Sequence, residues 1–207
     1  GVDIENYLQF CCARSYQQIP NEDNYTTEQI YVHTKAMIVD DQYAIIGSAN
    51  INDRSMCGNR DSEIACLISN GAVVKTKMNG VDYEARKVPF ELRCKLWEEH
   101  LGLVAGTDDV ELIKDPIAPQ TTALFREIAS TNTEIFREVF PFAPHDGIDS
   151  LDSDFFKLPA EKTCFHKLRN VRGHLVQFPT QFLHAMNLAP GDVTNLHLNI
   201  ADADIFT

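Results

Sequence analysis

Residues 31–50 read YVHTKAMIVDDQYAIIGSAN, and they constrain the fold more than any other stretch of this 207-residue chain. The β-branched and aromatic residues over 31–39 predict a strand that ends at the Asp40–Asp41 turn, and 43–47 predict a returning strand. A third strand is predicted over 63–68, where Ser-Asn-Gly closes it.

Helices are predicted downstream of these strands. One begins at Pro89 and ends at Gly102, with an apolar face formed by Leu92, Leu96, Trp97 and Leu101. A second spans 119–140 and buries Leu124, Ile128, Ile135 and Val139. Elsewhere the sequence predicts an apolar element over 4–12, a loop over 17–27 and a strand over 173–178. The segments 151–158 and 193–207 do not fit any single type of secondary structure. We therefore expect an α/β fold, with a mixed β-sheet flanked by helices in an α-β-α sandwich.

Composition narrows the class of protein. Thirty acidic and 18 basic residues give a net charge of −12, which argues against a global electrostatic attraction to nucleic acid or to an anionic membrane, although a local basic pocket is compatible with it. No apolar run approaches the roughly 18 residues that a membrane-spanning helix needs. The chain starts at Gly1 without a signal-peptide pattern, and we expect it to be a piece of a longer protein.

The six cysteines are scattered through the sequence. They form no C-x-x-C pair and have no histidine at zinc-binding spacing. We expect reduced, structural thiols and a cytosolic or cytosol-facing protein, with neither a disulfide framework nor a metal site.

The residues suited to chemistry lie in and around the first strand pair. Alternation along a strand places His33 and Lys35 on one side, about 7 Å apart, and Ser48 and Asn50 add a hydroxyl and an amide. This set supplies a nucleophile or acid/base group and several donors to oxygens, as phosphoryl transfer without a metal requires. Glu63 is expected to accept the Nδ1 proton of His33 and to orient the imidazole.

Taken singly, each of these residues is more often structural than functional. Asp40 lies seven residues from His33 and so on the opposite face, where we expect it to fix the turn through local backbone hydrogen bonds. The combination carries the functional argument, because its six specified positions recur by chance on the order of once in a million.

The pattern His33-x-Lys35-x4-Asp40 with Gly47-Ser48-x-Asn50 resembles the HKD motif of the phospholipase D superfamily. Residues 31–55 and 60–63 are similar to the second HKD repeat of eukaryotic phosphatidylcholine-hydrolysing phospholipase D. The segments 4–8, 92–102 and 173–179 also resemble that family, the last one its animal, fungal and protist type.

The resemblance implies a mechanism. Such enzymes carry two HKD repeats whose histidines meet at one site across a pseudo-twofold interface, where one forms a phosphohistidine and the other protonates the leaving alcohol. Carried over, the HKD residues His33, Lys35 and Asp40 are catalytic, with His33 the general acid and then base. Lys35, Ser48 and Asn50 would hold phosphate oxygens, and Glu63 would orient His33. No metal or organic cofactor is implied; the products would be phosphatidic acid and choline, with transfer to a primary alcohol as a side activity.

The chain departs from the family in having one HKD motif. We therefore interpret residues 1–207 as the C-terminal catalytic half, with an HKD core over about 28–103 and an extension over about 104–207, inactive by itself. The implied partners are phosphatidylcholine, the N-terminal HKD half, a membrane surface and, through the full-length protein, phosphoinositides and small GTPases, but no nucleic acid. The implied location is cytoplasmic and peripheral on membranes.

Two alternatives stay open at the level of the sequence. One is a single-motif phosphodiesterase or nuclease that dimerises to complete its site; the other is a catalytically silent interaction domain. Trp97 and His100 favour packing roles, while His174 is a candidate for the surroundings of a substrate channel.

Overall fold

The computed structural model describes residues 7–150 and 159–186, so the segments 151–158 and 193–207 discussed above lie outside the described residues. The strands are β1 (Cys11–Gln18), β2 (Tyr25–Ile30), β3 (Lys35–Val39), β4 (Tyr43–Gly47), β5 (Ala65–Ile68), β6 (Val73–Met78), β7 (Val81–Arg86) and β8 (Leu175–Gln177). The helices are α1 (Asp53–Met56), α2 (Lys87–Leu101), α3 (Asp108–Leu112) and α4 (Pro119–Val139), followed by a 3-10 helix (Lys162–Asn170).

The described strands form three antiparallel sheets. Their orders are β2-β1-β8, β3-β4-β5 and the hairpin β6-β7. The predicted α/β class is confirmed, although the strands fall into separate sheets.

The β3–β4 turn shows why the first strand pair forms as predicted. Asp40 and Asp41 both adopt left-handed backbone angles, with φ of 53° and 52°, and the Gln42 N–H donates to the Val39 carbonyl over 2.9 Å. Two consecutive residues with positive φ make the tight turn whose twist matches a hairpin, and aspartate tolerates that conformation better than most residues.

Several predicted boundaries need correction. The motif strand begins at Lys35 instead of residue 31, and β5 begins at Ala65 instead of residue 63, so His33 and Glu63 precede their strands. The predicted loop over 17–27 shrinks to 19–24, because β1 and β2 pair as far as Gln18 and Tyr25. The predicted element over 4–12 is replaced, in its described part, by the start of β1 at Cys11.

The two long helices are where the sequence predicts them, but α2 buries a different face. Helix α4 buries Ile128, Ile135 and Val139 as predicted, while Leu124 is half-buried. In α2, Leu101 is buried as predicted, but the other residues of the predicted face are half-buried: Leu92, Leu96 and Trp97. The other buried residues of α2 are Pro89, Arg93 and Cys94. The helix ends at Gly102, which adopts φ of 60° and has its N–H bonded to the Glu98 and Glu99 carbonyls.

Two apolar clusters hold these elements together, and α4 contributes to both. One joins the C-terminal half of α4 to the 3-10 helix and β8, through Ile135, Phe136, Val139, Phe140, Ala143, Leu168 and Val176. The other joins α2, α4 and β8, through Cys94, Leu101, Ile113, Ile128, Ala129 and Leu175. The buried Asn132 carboxamide adds a polar connection, because its Nδ2 donates to the Arg172 and Leu175 carbonyls and its Oδ1 accepts from the Arg172 N–H. No described helix is long and apolar enough to cross a bilayer.

A buried ion pair anchors the β3–β4 turn to α2. Arg93 Nε donates to Asp41 Oδ1 over 2.7 Å and Arg93 Nη2 donates to Asp41 Oδ2 over 2.8 Å, with both residues at most 5% exposed. Arg93 Nη1 also donates to the Ile113 carbonyl, and the guanidinium lies 4.7 Å from the centre of the Trp97 ring. The bidentate geometry and the carbonyl acceptor satisfy charges that would otherwise be costly to bury.

Replacing Asp41 by alanine should destabilise the chain by about 3–5 kcal/mol, because the Arg93 guanidinium would stay buried without its counter-charge. Denaturant-induced unfolding of the purified chain measures this loss. The control is Glu91→Ala, which removes the exposed Lys87–Glu91 pair on the same helix and should cost less than about 0.5 kcal/mol. Equal losses in the two variants would contradict an anchoring role for the Asp41–Arg93 pair.

Candidate active site

Antiparallel pairing brings three strand ends to one edge of the β3-β4-β5 sheet. Lys35 lies opposite Gly47, and Gly47 lies opposite Ala65. The start of β3, the end of β4 and the start of β5 therefore meet, and we call the residues 33–35, 47–50 and 63–65 the motif edge. All five polar residues that the sequence predicts to contact a phosphate or to act as its acid/base group lie within it: His33, Lys35, Ser48, Asn50 and Glu63.

The hydroxyl of Ser48 and the carboxylate of Glu63 form the best-defined contact of this edge. Ser48 Oγ donates to Glu63 Oε2 over 2.5 Å and accepts from the Ile64 N–H over 3.0 Å. The strands approach closely here: a Cβ added to Gly47 would lie 2.6 Å from the Ile64 carbonyl oxygen. Gly47 is therefore needed for Ser48 to reach Glu63.

Ser55, which the sequence analysis did not select, links the next loop to the same carboxylate. Its Oγ accepts from the Asn50 N–H over 3.1 Å, and its side chain also hydrogen-bonds to Glu63. Asn52 caps the short helix α1, because its Oδ1 accepts from the Ser55 N–H over 3.0 Å. Asparagine is a favoured helix N-cap, so Asn52 could have indicated a helix start at Asp53 and hence a turn that brings Ser55 back toward the preceding loop.

The surroundings of Glu63 keep it ionised. Hydrogen bonds from Ser48 and Ser55 lower the pKa of this carboxyl, and the charges of Lys35 and Arg54 lower it further. A depressed pKa means that the carboxylate persists below the usual titration range of glutamate, and that its contacts are lost as the pH falls through the folded-state pKa. At neutral pH the motif edge thus carries a fixed negative charge beside Lys35.

His33 and Lys35 lie on the open side of the edge. The His33 imidazole is exposed and stacks on Tyr31, with ring centres 6.1 Å apart and planes 21° apart. The Lys35 ammonium donates to the His33 carbonyl over 2.7 Å. Among the described residues no carboxylate bonds the His33 imidazole, so orientation of His33 by Glu63 stays a prediction.

Asp40 lies at the other end of the hairpin, roughly 17 Å from Lys35 by strand rise. Its backbone carbonyl accepts from the Tyr83 hydroxyl of β7 over 2.8 Å, which is a long-range contact and not one of the local hydrogen bonds expected for it. Its place outside the motif edge argues against direct contact with a substrate held there. The side chain that anchors the turn is that of the next residue, Asp41.

A wide, mostly apolar cavity of about 570 Å³ opens beside the motif edge. Lys35 and Asn50 contribute its polar rim, while Met37, Ile45, Ile51 and Met56 are among its apolar lining residues. The cavity combines a cation and an amide with an apolar wall, which suits an anionic head group attached to an apolar body.

The other residues considered from the sequence have structural surroundings. Trp97 packs edge-on against Phe125, with ring centres 5.1 Å apart. The His174 N–H donates to the His100 carbonyl at the end of α2.

All six cysteines are free, and burial raises the pKa of the Cys11 thiol to about 11, so that thiol is protonated at neutral pH. No group of metal-ligating side chains occurs among the described residues.

The arrangement defines a class of site before any relative is considered. An exposed imidazole, a lysine, a serine hydroxyl and an ionised glutamate at one sheet edge can bind an oxyanion and move a proton. Comparison with known proteins then identifies the family: a sequence profile described as Phospholipase D matches residues 13–147.

Individual relatives agree with the profile. Phospholipase D zeta 2 of Arabidopsis thaliana is 39% identical over 215 residues, covering 92% of this chain and 20% of that protein. Phospholipase D1 of Mus musculus is 39% identical over 196 residues, covering 89% of this chain and 18% of that protein. Phospholipase D C of Dictyostelium discoideum is 38% identical, covering 88% of this chain and 11% of that protein. The chain belongs to the phospholipase D family, and it spans a fifth or less of the length of these relatives.

Replacing Ser48 by alanine should raise the pKa of the Glu63 carboxyl, because the largest cause of its depression is the Ser48 hydrogen bond. A ¹³C NMR titration of the glutamate carboxyl groups measures the change. Ser62→Ala, at a neighbouring exposed serine, is the matched control and should leave the Glu63 pKa where it is. An unchanged Glu63 pKa in Ser48→Ala would contradict the contact.

Proposed function

We propose that the chain supplies the second half-site of a phospholipase D that hydrolyses the distal phosphodiester of phosphatidylcholine to phosphatidic acid and choline. The observation that carries the proposal is the meeting of His33, Lys35, Ser48 and Glu63 at one sheet edge, beside a cavity with a polar rim and an apolar wall. Family membership supports the phosphodiesterase class.

Each residue of the motif edge has a role in this proposal. The nucleophile is the histidine of the other HKD half, which attacks phosphorus and forms a phosphohistidine while the P–O bond to choline breaks. His33 gives its proton to the departing choline oxygen and then takes one from the water that cleaves the P–N bond. Lys35 and the Asn50 amide donate to the phosphate oxygens.

Glu63 and Ser48 have a positioning role in the proposal. Ser48 is not given the phosphate contact that the resemblance implies, because its hydroxyl hydrogen is already donated to Glu63. The carboxylate fixes the Ser48 and Ser55 hydroxyls, and Ser55 in turn holds the backbone of Asn50. An ionised Glu63 would also stabilise the imidazolium form of His33 if the imidazole turned toward it. The step needs no metal, since the histidines and donors balance the charge that develops on the phosphate.

The exposed apolar surface of the β3-β4-β5 sheet supports a half-site that is completed by another unit. Large apolar side chains around the motif edge are 37–90% exposed, including Tyr31, Val32, Met37, Ile45, Ile46, Ile51, Met56, Ile64 and Leu67. Exposure of so many large apolar side chains on one sheet and its loops is characteristic of an interface. We propose that the N-terminal HKD half of the same protein covers it.

The remaining partners follow from the same proposal. The substrate lies in a membrane, so the complete enzyme acts as a peripheral protein on the cytoplasmic side, with transfer to primary alcohols as a side reaction. Phosphoinositides and small GTPases would act through the full-length protein. The single-motif homodimer is the second candidate, because two copies would also cover the exposed apolar surface.

His33→Asn should abolish hydrolysis in a chimaera in which this chain replaces the matching segment of Arabidopsis phospholipase D zeta 2. Loss of an acid/base group lowers the rate by at least about a hundredfold. Choline release from phosphatidylcholine vesicles measures the rate, with ethanol transfer as a second readout.

The matched control is His166→Asn, which changes an exposed histidine of the 3-10 helix and should retain the activity of the chimaera. An inactive unmodified chimaera beside an active parent enzyme, or full activity of His33→Asn, would contradict the proposed function. Cleavage of DNA by the chain alone, lost in His33→Asn, would favour the homodimeric nuclease.

A further inference from the structure

A second cavity, which is lined by basic side chains, lies away from the motif edge, between the β2-β1-β8 sheet and the end of α4. It has a volume of about 220 Å³. Three basic side chains from three separate elements line it: Arg14 of β1, Arg137 of α4 and His145 of the following turn. No aspartate or glutamate is among its lining residues. In a chain with 30 acidic and 18 basic residues, this local balance is unusual.

The basic groups of this cavity are available to a ligand. Arg14 is half-buried, and the one hydrogen bond of its guanidinium among the described residues is a 3.3 Å contact from Nη1 to Thr27 Oγ1. Neither Arg14 nor Arg137 forms an ion pair with any residue in the described ranges 7–150 and 159–186. A half-buried guanidinium without a counter-ion is costly, and an anion would offset that cost.

The local bonding of His145 leaves its outer nitrogen as a donor. His145 Nδ1 accepts from the Gly147 N–H over 3.0 Å, so the neutral ring carries its proton on Nε2. Burial lowers the pKa of this imidazole and the charge of Arg137 lowers it further, while the adjacent Asp146 carboxylate opposes the shift. The side-chain amides of Gln29 and Gln177 add neutral donors to the lining.

The walls of the cavity strengthen these interactions. Phe136 and Val176 are almost fully buried and give the cavity an apolar wall, beside which the charge of the half-buried Arg14 attracts an anion more strongly than it would in water, whereas Arg137 is exposed. Glu134 and Asp146 line an adjoining cleft that shares Arg137 and His145. The Asp146 carboxylate is already engaged there, because its Oδ1 accepts the Gln181 N–H over 2.7 Å.

We propose that Arg14, Arg137 and His145 form a second anion site, distinct from the motif edge, that binds a phosphate monoester. The volume is below the roughly 300–1,000 Å³ of sites for drug-sized molecules, so it fits a phosphate group and not a whole phospholipid. Two guanidinium groups match the planar, bidentate recognition of phosphate oxygens. The bound phosphate group belongs either to a lipid head group or to a free phosphate, and both offer the same oxygens to the guanidinium groups.

Calorimetric titration of the purified chain with inorganic phosphate tests the site. The unmodified chain should bind one phosphate saturably, and Arg14→Gln and Arg137→Gln should each weaken binding about tenfold or more, since charge-assisted hydrogen bonds are lost. Arg137 is exposed, so its variant keeps the test valid if Arg14→Gln does not fold. Arg169→Gln, at an exposed arginine of the 3-10 helix, is the control and should bind normally.

Lys35→Met separates this site from the motif edge. Phosphate binding that survives Lys35→Met but is weakened by Arg137→Gln supports the proposal, whatever the outcome for the proposed function. Binding that is lost in Lys35→Met and unchanged in Arg137→Gln would overturn it, as would the absence of any saturable binding.

Vesicle flotation distinguishes the two sources of the phosphate group. Retention on phosphatidylcholine vesicles that contain phosphatidic acid, reduced in Arg137→Gln but not in Arg169→Gln, assigns the site to a lipid head group. Binding of inorganic phosphate without such retention assigns it to a free phosphate.

Discussion

The buried Asp41–Arg93 ion pair holds the β3–β4 hairpin, and with it the candidate site, against the helical part of the molecule. It fixes the turn of the β3–β4 hairpin to α2, and α2 packs on α4 and β8 through the second apolar cluster. Neighbouring contacts support the same point: the Arg86 N–H donates to the Asp41 carbonyl, and Gln42 Nε2 donates to the Tyr83 hydroxyl. A hairpin with exposed apolar side chains along its strands is thus held at one end by a buried charge pair.

The opposite end of the hairpin carries the candidate site. Because the turn fixes the register, Lys35 faces Gly47, and Gly47 lets the strand β5 approach until Ser48 reaches Glu63. The acidic residues at the two ends of the hairpin therefore have different roles. Asp41 is buried and paired with Arg93, whereas Glu63 accepts hydrogen bonds from two serine hydroxyls and stays ionised. The open side at His33 and the exposed sheet are consistent with a site that needs a second half.

The sequence predicts the local elements well and their long-range contacts poorly. The strand pair and the helix α4 follow from periodicity and turn chemistry, which act between near neighbours. The Asn79-Gly80 hairpin between β6 and β7 was missed although this dipeptide is a strong turn signal, and Asp115 accepts both of its N–H groups. The burial of Arg93 could not be predicted, because a charged residue on a helix face is usually solvated and its partner lies 52 positions away. The sequence pointed to His33, Lys35, Ser48 and Glu63, and strand pairing brings them to one edge, while their roles stay a prediction. The contact of Ser55 with Glu63 depends on a loop that only the structure shows.

The proposal that this chain supplies one half-site is tested by measuring phosphatidylcholine hydrolysis by the purified chain, alone and after co-expression with a first HKD half. We expect choline release only from the co-expressed pair, because His33 and its neighbours would form one half of a site that requires two histidines. Activity of the same size from the chain alone would contradict it and would mean that two copies of the chain complete the site.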